Sequence, residues 1–186
     1  MSDAIRVAII GAESTGKTTL AAELASHLAS QGSHRVTWVP EVLREWCAQA
    51  GRTPRVDEQA GILQAQHARI EAAAARHDIV VCDTTGLMTA VYSRLIFGDH
   101  SLDELAVRQQ RGMALTLLTA LDLPWVADGH QRDGPQVRRP VDDLLRELLL
   151  AHRLPFAVVG GQGVSRLNQA AAALAPLLRE PTRLRQ

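Results

Sequence analysis

Residues 11–18 read GAESTGKT and match the pattern G-x-x-x-x-G-K-[ST] at every fixed position. A short apolar run at 5–10 precedes them, and Leu20, Leu24 and Leu28 follow at helical spacing. The pattern binds phosphate when it joins a buried strand to the start of a helix, because backbone N–H groups then converge on one point. Motif and context together therefore predict a phosphate-binding loop.

Each part of this loop has a physical role. The glycines let the backbone curl so that N–H groups point at the phosphates, and the following helix adds the positive end of its dipole. Lys17 is expected to reach the outer phosphates, and the Thr18 hydroxyl is placed to ligate Mg²⁺, which prefers hard oxygen ligands. The residues expected to bind the nucleotide here are Gly11, Glu13, Ser14, Thr15, Gly16, Lys17, Thr18 and Thr19.

Lys17 is the only lysine in the chain, and the other 19 of its 20 basic residues are Arg. A bias toward Arg could produce this by chance, but a slim ammonium suits a phosphate cradle better than a broad guanidinium. Proteins that bind GTP usually read guanine with an Asn-Lys-x-Asp element, which would need a second lysine. The sequence therefore favours ATP with Mg²⁺.

Apolar runs alternate with helical patterns along the whole chain, which is typical of an α/β protein with a mainly parallel sheet and helices on both faces. We predict a three-layer sandwich of the P-loop NTPase class, with five strands in the order 2-3-1-4-5 and one domain over residues 1–186. The strands are predicted at 5–10, 35–39, 79–82, 123–126 and 156–159.

Two further boundaries bear on the site. Ser101, with Glu104 three residues later, predicts a helix that starts in a capping box. Residues 128–139 are polar and rich in Gly and Arg, and they are predicted to form a loop. Pro140 is expected to open the next helix at its first position.

Composition narrows the classes of partner. The formal net charge is zero, whereas a nucleic-acid binder usually carries a basic excess, so we predict no nucleic-acid partner. No apolar run approaches the roughly 20 residues of a membrane span, and residues 1–6 show no signal-peptide pattern. Cys47 and Cys82 form no Cys-x-x-Cys pair, which fits a reducing cytoplasm. The expected partner is a small molecule, and the oligomeric state is left open.

Acidic residues follow three of the predicted strands, where ligands bind in open α/β sheets. Asp83 follows the strand at 79–82 and is interpreted as the carboxylate of the magnesium side, or alternatively as a helix N-cap. Glu41 follows the second strand and is interpreted as the acceptor-side carboxylate, or as a first-turn residue favoured by the helix dipole. Asp128 follows the predicted fourth strand.

Five stretches resemble a known family. They are GAESTGKTTL, VPEVLREW, CDTTGLMTAVYS, DLPWVADGHQRD and GGQGVSRLNQA, and they occur in family order over nearly the whole chain. Together they resemble the ribosylnicotinamide-kinase domain of the NadR type, within the wider P-loop kinases. VPEVLREW also looks like the segment of deoxynucleoside kinases in which a Glu meets the 5′-hydroxyl of the sugar.

The resemblance implies an ATP-dependent kinase that phosphorylates a nucleoside at its 5′-hydroxyl, with nicotinamide riboside as the leading acceptor. It implies catalytic roles for Lys17, Glu41 and Asp83, with Thr18 and Asp83 holding Mg²⁺. A lid at residues 128–139 would supply arginines to the transferring phosphoryl group, with Arg132, Arg138 and Arg139 as candidates. Gly160 and Gly161 would pass close to the adenine.

One departure keeps alternatives open. The family often has an Asp-Thr-Asp run after the third strand, and this chain has Asp83, Thr84 and Thr85 there. A regulatory ATPase that switches partner binding is a second hypothesis. A module that binds nucleotide without turnover is a third, which the missing acid keeps open. Trp46, five residues after Glu41, is either packing or a surface on which a substrate base stacks.

Overall fold

A computed structural model describes residues 4–126 and 134–179, and in these ranges strands alternate with helices from end to end. The strands are β1 (Ile5–Ile10), β2 (Val36–Val39), β3 (Ile79–Asp83), β4 (Leu115–Thr119) and β5 (Phe156–Val159). The helices are α1 (Lys17–Ser30), α2 (Val42–Ala50), α3 (Val56–Ala74), α4 (Gly86–Phe97), α5 (Asp103–Gln110), α6 (Arg138–Ala151) and α7 (Val164–Arg179).

The five strands form one parallel sheet in the order β2-β3-β1-β4-β5, which confirms the predicted topology. β1 lies in the centre, where Ile9 pairs with Asp83 on one side and Ile10 pairs with Leu118 on the other. Parallel strands end at the same edge, so the loop after β1, the end of β3 and the end of β4 meet there.

Alternate residues of β1 face two separate hydrophobic clusters, because successive side chains of a strand point to opposite faces. Val7 and Ile9 pack with the α1 and α7 side of the molecule. Ala8 and Ile10 pack with residues of α3, α4 and α6. The helices therefore cover both faces, as the three-layer prediction requires. Among the residues that the structure describes, no helix is long and apolar enough to span a membrane.

The fourth strand was predicted in the wrong place. It runs over Leu115–Thr119, whereas residues 123–126 lie outside any strand. Pro124 lies inside the predicted segment, and proline cannot donate a hydrogen bond to the ladder of a central strand. As a consequence Asp128 does not follow the fourth strand. It lies outside the described residues, and Ala120, Leu121 and Asp122 come after β4 instead.

Helix α5 starts two residues later than predicted. Its first residue is Asp103, and Leu102 occupies the N-cap position. The hydroxyl of Ser101 is already used, because it donates a hydrogen bond to the Asp99 carboxylate at 3.0 Å. The predicted capping box between Ser101 and Glu104 was therefore wrong.

Helix α6 starts two residues earlier than predicted, at Arg138, after a 3₁₀ turn over Pro135–Val137. Pro140 is the third residue of the helix rather than the first. Proline is tolerated throughout a first turn, since its missing N–H would have no partner inside the helix there. The last two residues of the predicted loop at 128–139 are thus helical, while 128–133 lie outside the described residues.

Candidate active site

The loop between β1 and α1 has the tight geometry of a phosphate cradle. Gly11 has φ +150°, and a side chain there would overlap the hydroxyl of Thr119 and lie 3.2 Å from its carbonyl oxygen. Gly16 has φ +74° and occupies the N-cap position of α1. Backbone angles of this kind strain any other residue. The two fixed glycines are therefore required by the conformation of the loop and by its close approach to β4.

A hydroxyl pair holds the loop against the end of β4. The Thr15 hydroxyl donates to the carbonyl oxygen of Ala12 at 2.7 Å, and it lies 2.6 Å from the Thr119 hydroxyl. Both threonine side chains are buried. Ser14, with φ 55°, exchanges hydrogen bonds with the backbone of Val126. Contacts from the segment after β4 therefore help to fix the shape of the loop.

Lys17 extends over the loop and donates from Nζ to the Ala12 carbonyl oxygen at 2.9 Å. Desolvation by burial lowers the pKa of this ammonium, and the negative charges of Glu41, Asp83 and Glu13 act in the opposite direction. These carboxylates come from three separate segments of the chain. The structure thus brings together Lys17, Glu41 and Asp83, which are three of the four residues predicted to be catalytic in the described part of the chain.

Asp83 ends β3 beside the first turn of α1. Burial raises the pKa of its carboxyl group, while a hydrogen bond from Thr18 and the charge of Lys17 lower it. Helix α4 begins at Gly86, with Thr85 at the N-cap position, so the N-cap interpretation of Asp83 is wrong. The backbone turns sharply after Asp83, since Thr84 adopts a positive φ of 68°.

The surroundings of Asp83 fit a magnesium ion. Its Oδ1 atom is buried and has no hydrogen-bond partner within residues 4–126 and 134–179. Over those same ranges, no three His, Cys, Asp or Glu side chains form a metal cluster. Magnesium bound to a nucleotide takes only one or two protein ligands and keeps its other positions for phosphate and water. Thr18 and Asp83 supply oxygen donors of the right kind for such an ion.

Glu41 occupies the N-cap position of α2 and is separated from the end of β2 by Pro40 alone. Its side chain is only 15% exposed, and its Oε2 atom lies 3.9 Å from Nε of Arg44, one helical turn later. The positive charge of Arg44 also lowers the pKa of Lys17 and the pKa of Asp83. A glutamate and an arginine from one helix therefore face the phosphate loop.

A cavity of about 730 Å³ joins the phosphate loop to helices α2, α3 and α4, and this volume is typical of small-molecule sites. One end is the loop itself. The other end mixes apolar side chains with a few polar groups, among them the buried amide of Gln59. The residues that line this second end are Glu41, Leu43, Arg44, Cys47, Thr53, Pro54, Arg55, Val56, Gln59, Met88, Tyr92, Ile96 and Phe97.

Most of the predicted nucleotide-binding residues border this cavity. They are Glu13, Ser14, Thr15, Gly16, Lys17, Thr18 and Thr19. Gly11, the first residue of the loop, is buried and is not among the lining residues. Asp83 is not among the lining residues, but it interacts with Thr18, which lines the cavity.

Other predicted residues lie elsewhere. The Arg138 guanidinium donates to the Leu123 carbonyl oxygen at 2.8 Å, and Arg139 is exposed. Arg132 lies outside the described residues. Gly160 and Gly161 lie in the turn between β5 and α7 and bond to Gln169 and Asp122.

Trp46 does not border the cavity. The guanidinium of Arg52 covers its ring at 5.0 Å from the centroid, and Arg52 also pairs with Glu58 at 2.7 Å. This favours the packing interpretation over base stacking.

Sequence reasoning missed several polar residues of the site. Arg44 carried a visible signal, because it follows Glu41 at helical spacing. The Tyr92 hydroxyl lies 3.5 Å from Oε1 of Glu13, in a contact 79 positions apart that no local pattern reveals. The same holds for Gln59, which α3 brings to the cavity.

Comparison with known proteins agrees with this architecture. A family model described as an AAA domain matches residues 6–166. No curated protein matches the sequence significantly. A solved structure of NadR protein in complex with NR superposes with a TM-score of 0.77 at 20% identity, over 98% of this chain and 53% of that one.

Two further solved structures are similar. NadR protein in complex with NAD and AMP-PNP gives a TM-score of 0.75 at 21% identity, over 98% of this chain and 52% of that chain. Deoxyadenosine kinase from M. mycoides with bound dATP gives 0.65 at 14% identity, over 92% and 99%.

The chain thus spans about half the length of the NadR structures, and the likeness to NadR that the sequence predicted is confirmed for the fold. The family model covers more than half of the chain, from β1 into α7. The chain belongs to the AAA domain family.

Proposed function

We propose that this protein is an ATP-dependent nucleoside kinase that transfers the γ-phosphoryl group to a 5′-hydroxyl, with nicotinamide riboside as the leading acceptor. One observation carries the proposal: Lys17, Asp83 and Glu41 converge at the phosphate loop, and the cavity that borders this loop extends to helices α2, α3 and α4. The part of the cavity lined by these helices is the proposed acceptor compartment. A protein that only hydrolyses ATP has no need for that compartment.

The nucleotide side is built for phosphate. Backbone N–H groups of residues 13–18 and the N-terminus of α1 would hold the triphosphate, and Lys17 would leave the Ala12 carbonyl oxygen to meet it. Gly160 and Gly161 are the candidates to border the adenine. When bound, Mg²⁺ would be held by Thr18 and Asp83 and would neutralise negative charge on the phosphate oxygens.

The acceptor side is built around Glu41. Its carboxylate would accept the proton of the attacking hydroxyl or orient that hydroxyl, which is the role that a carboxylate has in phosphoryl transfer. Arg44, on the same helix, is suited to stabilise charge on the transferring group. The apolar residues beyond them, including Met88 and Phe97, offer a surface for a flat base.

The choice of acceptor is supported by similarity. The NadR structure with the highest of the three TM-scores holds NR, and the deoxyadenosine kinase is similar over nearly its whole length. Arg132 and Arg138, the predicted lid arginines, remain candidates to contact the phosphoryl group. For Arg138 this would require release of the Leu123 carbonyl oxygen.

The test is direct detection of the product. The protein is incubated with ATP, Mg²⁺ and a panel of nucleosides that includes nicotinamide riboside, and the nucleoside monophosphates are measured by mass spectrometry. We expect one nucleoside to be converted to its 5′-monophosphate. Release of phosphate from ATP at the same rate without any nucleoside would instead support the switch ATPase.

A further inference from the structure

Arg166 lies buried in the first turn of α7, only 4% exposed, although arginine is rarely found inside a protein. All three nitrogen atoms of its guanidinium donate hydrogen bonds. Nε donates to the Gly161 carbonyl oxygen at 2.8 Å, Nη1 donates to the Thr15 carbonyl oxygen, and Nη2 donates to Oδ1 of Asp122. The planar fork of arginine suits three such partners, whereas a lysine ammonium would not reach all of them.

Asp122 completes the cluster. Its second carboxylate oxygen, Oδ2, accepts a hydrogen bond from the Gly161 backbone N–H at 2.5 Å. Arg166 and Asp122 therefore join three segments that are far apart in sequence: the phosphate loop, the segment after β4 and the turn after β5. The packing is close, because a side-chain carbon on Gly160 would lie 2.9 Å from Asp122 Oδ2.

The bond to Thr15 bears directly on the phosphate loop. In a trans peptide the C=O and the following N–H point in opposite directions. Holding the Thr15 carbonyl on Arg166 therefore turns the Gly16 N–H away from Arg166. Without that anchor, the Thr15–Gly16 peptide would be free to rotate and the set of N–H groups aimed at the phosphates would lose its fixed arrangement.

Only Arg166 of this ion pair is buried, since the Asp122 side chain is 37% exposed. Such a pair is weak evidence for a role in stability, because the cost of desolvating the guanidinium offsets much of the attraction. This pair instead lies at the junction of the loop that binds phosphate and the turn where the base is expected. The desolvation cost of the pair is better explained by its role in holding the phosphate loop and the turn after β5 in place. The chain also holds a comparable pair with no such neighbours, Asp142 and Arg146 on α6, at 2.7 Å with Asp142 buried.

We propose that Arg166, held by Asp122, is a positioning residue that sets the nucleotide-binding conformation of the phosphate loop and couples it to the turn at Gly160 and Gly161. The inference rests on the proposed binding of nucleotide, but not on the identity of the acceptor. It predicts that removal of the pair weakens ATP binding and leaves the acceptor compartment intact.

The experiment compares Arg166→Met with Arg146→Met in the full chain. The dissociation constant for ATP with Mg²⁺ is measured by isothermal titration calorimetry, and the melting temperature is measured for both. We expect Arg166→Met to raise the dissociation constant by about tenfold or more. Arg146→Met should lower the melting temperature and leave the dissociation constant unchanged.

Two milder variants keep the test decisive if Arg166→Met does not fold. Asp122→Asn removes the charge with little change of shape and should weaken ATP binding, and Arg166→Lys should fail to restore it. In steady-state assays the KM for ATP should rise while the KM for the nucleoside stays the same.

Unchanged ATP affinity in Asp122→Asn and in a folded Arg166 variant would overturn the proposal. Absence of ATP binding in the wild type would overturn nucleotide binding itself, and failure to find an acceptor would leave this inference standing.

Discussion

Thr18 in the first turn of α1 interacts with the Asp83 carboxyl group at the end of β3, where burial raises the pKa of Asp83 and the interaction with Thr18 lowers it. The Oδ1 atom of Asp83 is buried and has no hydrogen-bond partner in the part of the chain that the structure describes. A buried carboxylate oxygen without a hydrogen-bond partner lowers the free energy of unfolding. Such a cost is expected where a residue serves a ligand rather than the stability of the ligand-free chain.

The first prediction concerns stability. Asp83→Asn keeps an oxygen that accepts from Thr18 and removes the buried charge, so the ligand-free variant should be more stable than the wild type at neutral pH. We expect a gain of about 1 kcal/mol, or roughly 2–4 °C in melting temperature. The variant should at the same time lose magnesium-dependent turnover. Differential scanning calorimetry and a kinase assay measure the two effects, and a less stable Asp83→Asn would contradict the account.

The pH dependence of that gain is a second prediction. The pKa of Asp83 is raised above its ordinary value of 3.8. Below that value both the folded and the unfolded forms are protonated, and no penalty exists. As the pH rises, the unfolded chain ionises first, so the wild type loses stability until the pH passes the folded pKa. The melting-temperature difference between Asp83→Asn and wild type should therefore be smaller near about pH 4 than at neutral pH. A difference that does not vary with pH would argue against a buried charge.

Lys17 gives the third prediction. Lys17→Met removes the only ammonium at the phosphate loop and should lower kcat/KM for ATP by about 10²-fold or more. Lys17→Arg should recover little of the activity, since the wider guanidinium does not fit where Nζ meets the Ala12 carbonyl oxygen. Steady-state kinetics with varied ATP checks both variants. Full activity in Lys17→Arg would show that charge alone is enough.

The fourth prediction concerns the close approach of Gly11 to β4. Gly11→Ala places a methyl group against the hydroxyl of Thr119 and should destabilise the fold by more than about 2 kcal/mol, as overpacking and strain combine there. Gly98→Ala is the matched control, because Gly98 has φ +65° and open space around it. That variant carries the backbone strain alone, about 1 kcal/mol. Urea denaturation compares the two, and equal losses would mean that contact with Thr119 is unimportant.

Arg44 gives the fifth prediction. Arg44→Gln should lower kcat by about tenfold or more and leave ATP affinity unchanged, because a charge that stabilises the transferring phosphoryl group acts mainly in the transition state. Arg69→Gln is the control. It removes an arginine that pairs with Glu45 at 2.7 Å on the outside of α2 and α3. If the two variants have the same kcat, Arg44 has no part in the chemistry.

The sequence predicted the features that depend on local pattern. The phosphate loop was found from its glycines and Lys17, and the parallel sheet was found from the alternation of strands and helices. Asp83 and Glu41 followed from a general rule, since each lies at the carboxyl end of a strand and these strand ends share one edge of the sheet. The order 2-3-1-4-5 is confirmed in full.

The features that the sequence did not predict depend on long-range contacts. β4 is a central strand between β1 and β5, and only four residues, with Gly112 among them, separate its short run of Leu and Thr from helix α5. Because the strand was misplaced, Asp122 was not recognised as a residue at a strand end. Arg166 meets Thr15 across 151 positions of sequence, which no spacing rule within one element can reveal.

The proposed kinase reaction requires Glu41 to face an acceptor hydroxyl during phosphoryl transfer. The most direct measurement compares nucleoside-dependent formation of ADP by Glu41→Gln and Glu45→Gln, with nicotinamide riboside first in the panel. Glu45 lies on the same helix but is 40% exposed and paired with Arg69. We expect Glu41→Gln to lower kcat by about 10²–10⁴-fold with ATP affinity unchanged, and Glu45→Gln to behave as wild type. Equal turnover in the two variants, or ADP formation that needs no nucleoside, would contradict it.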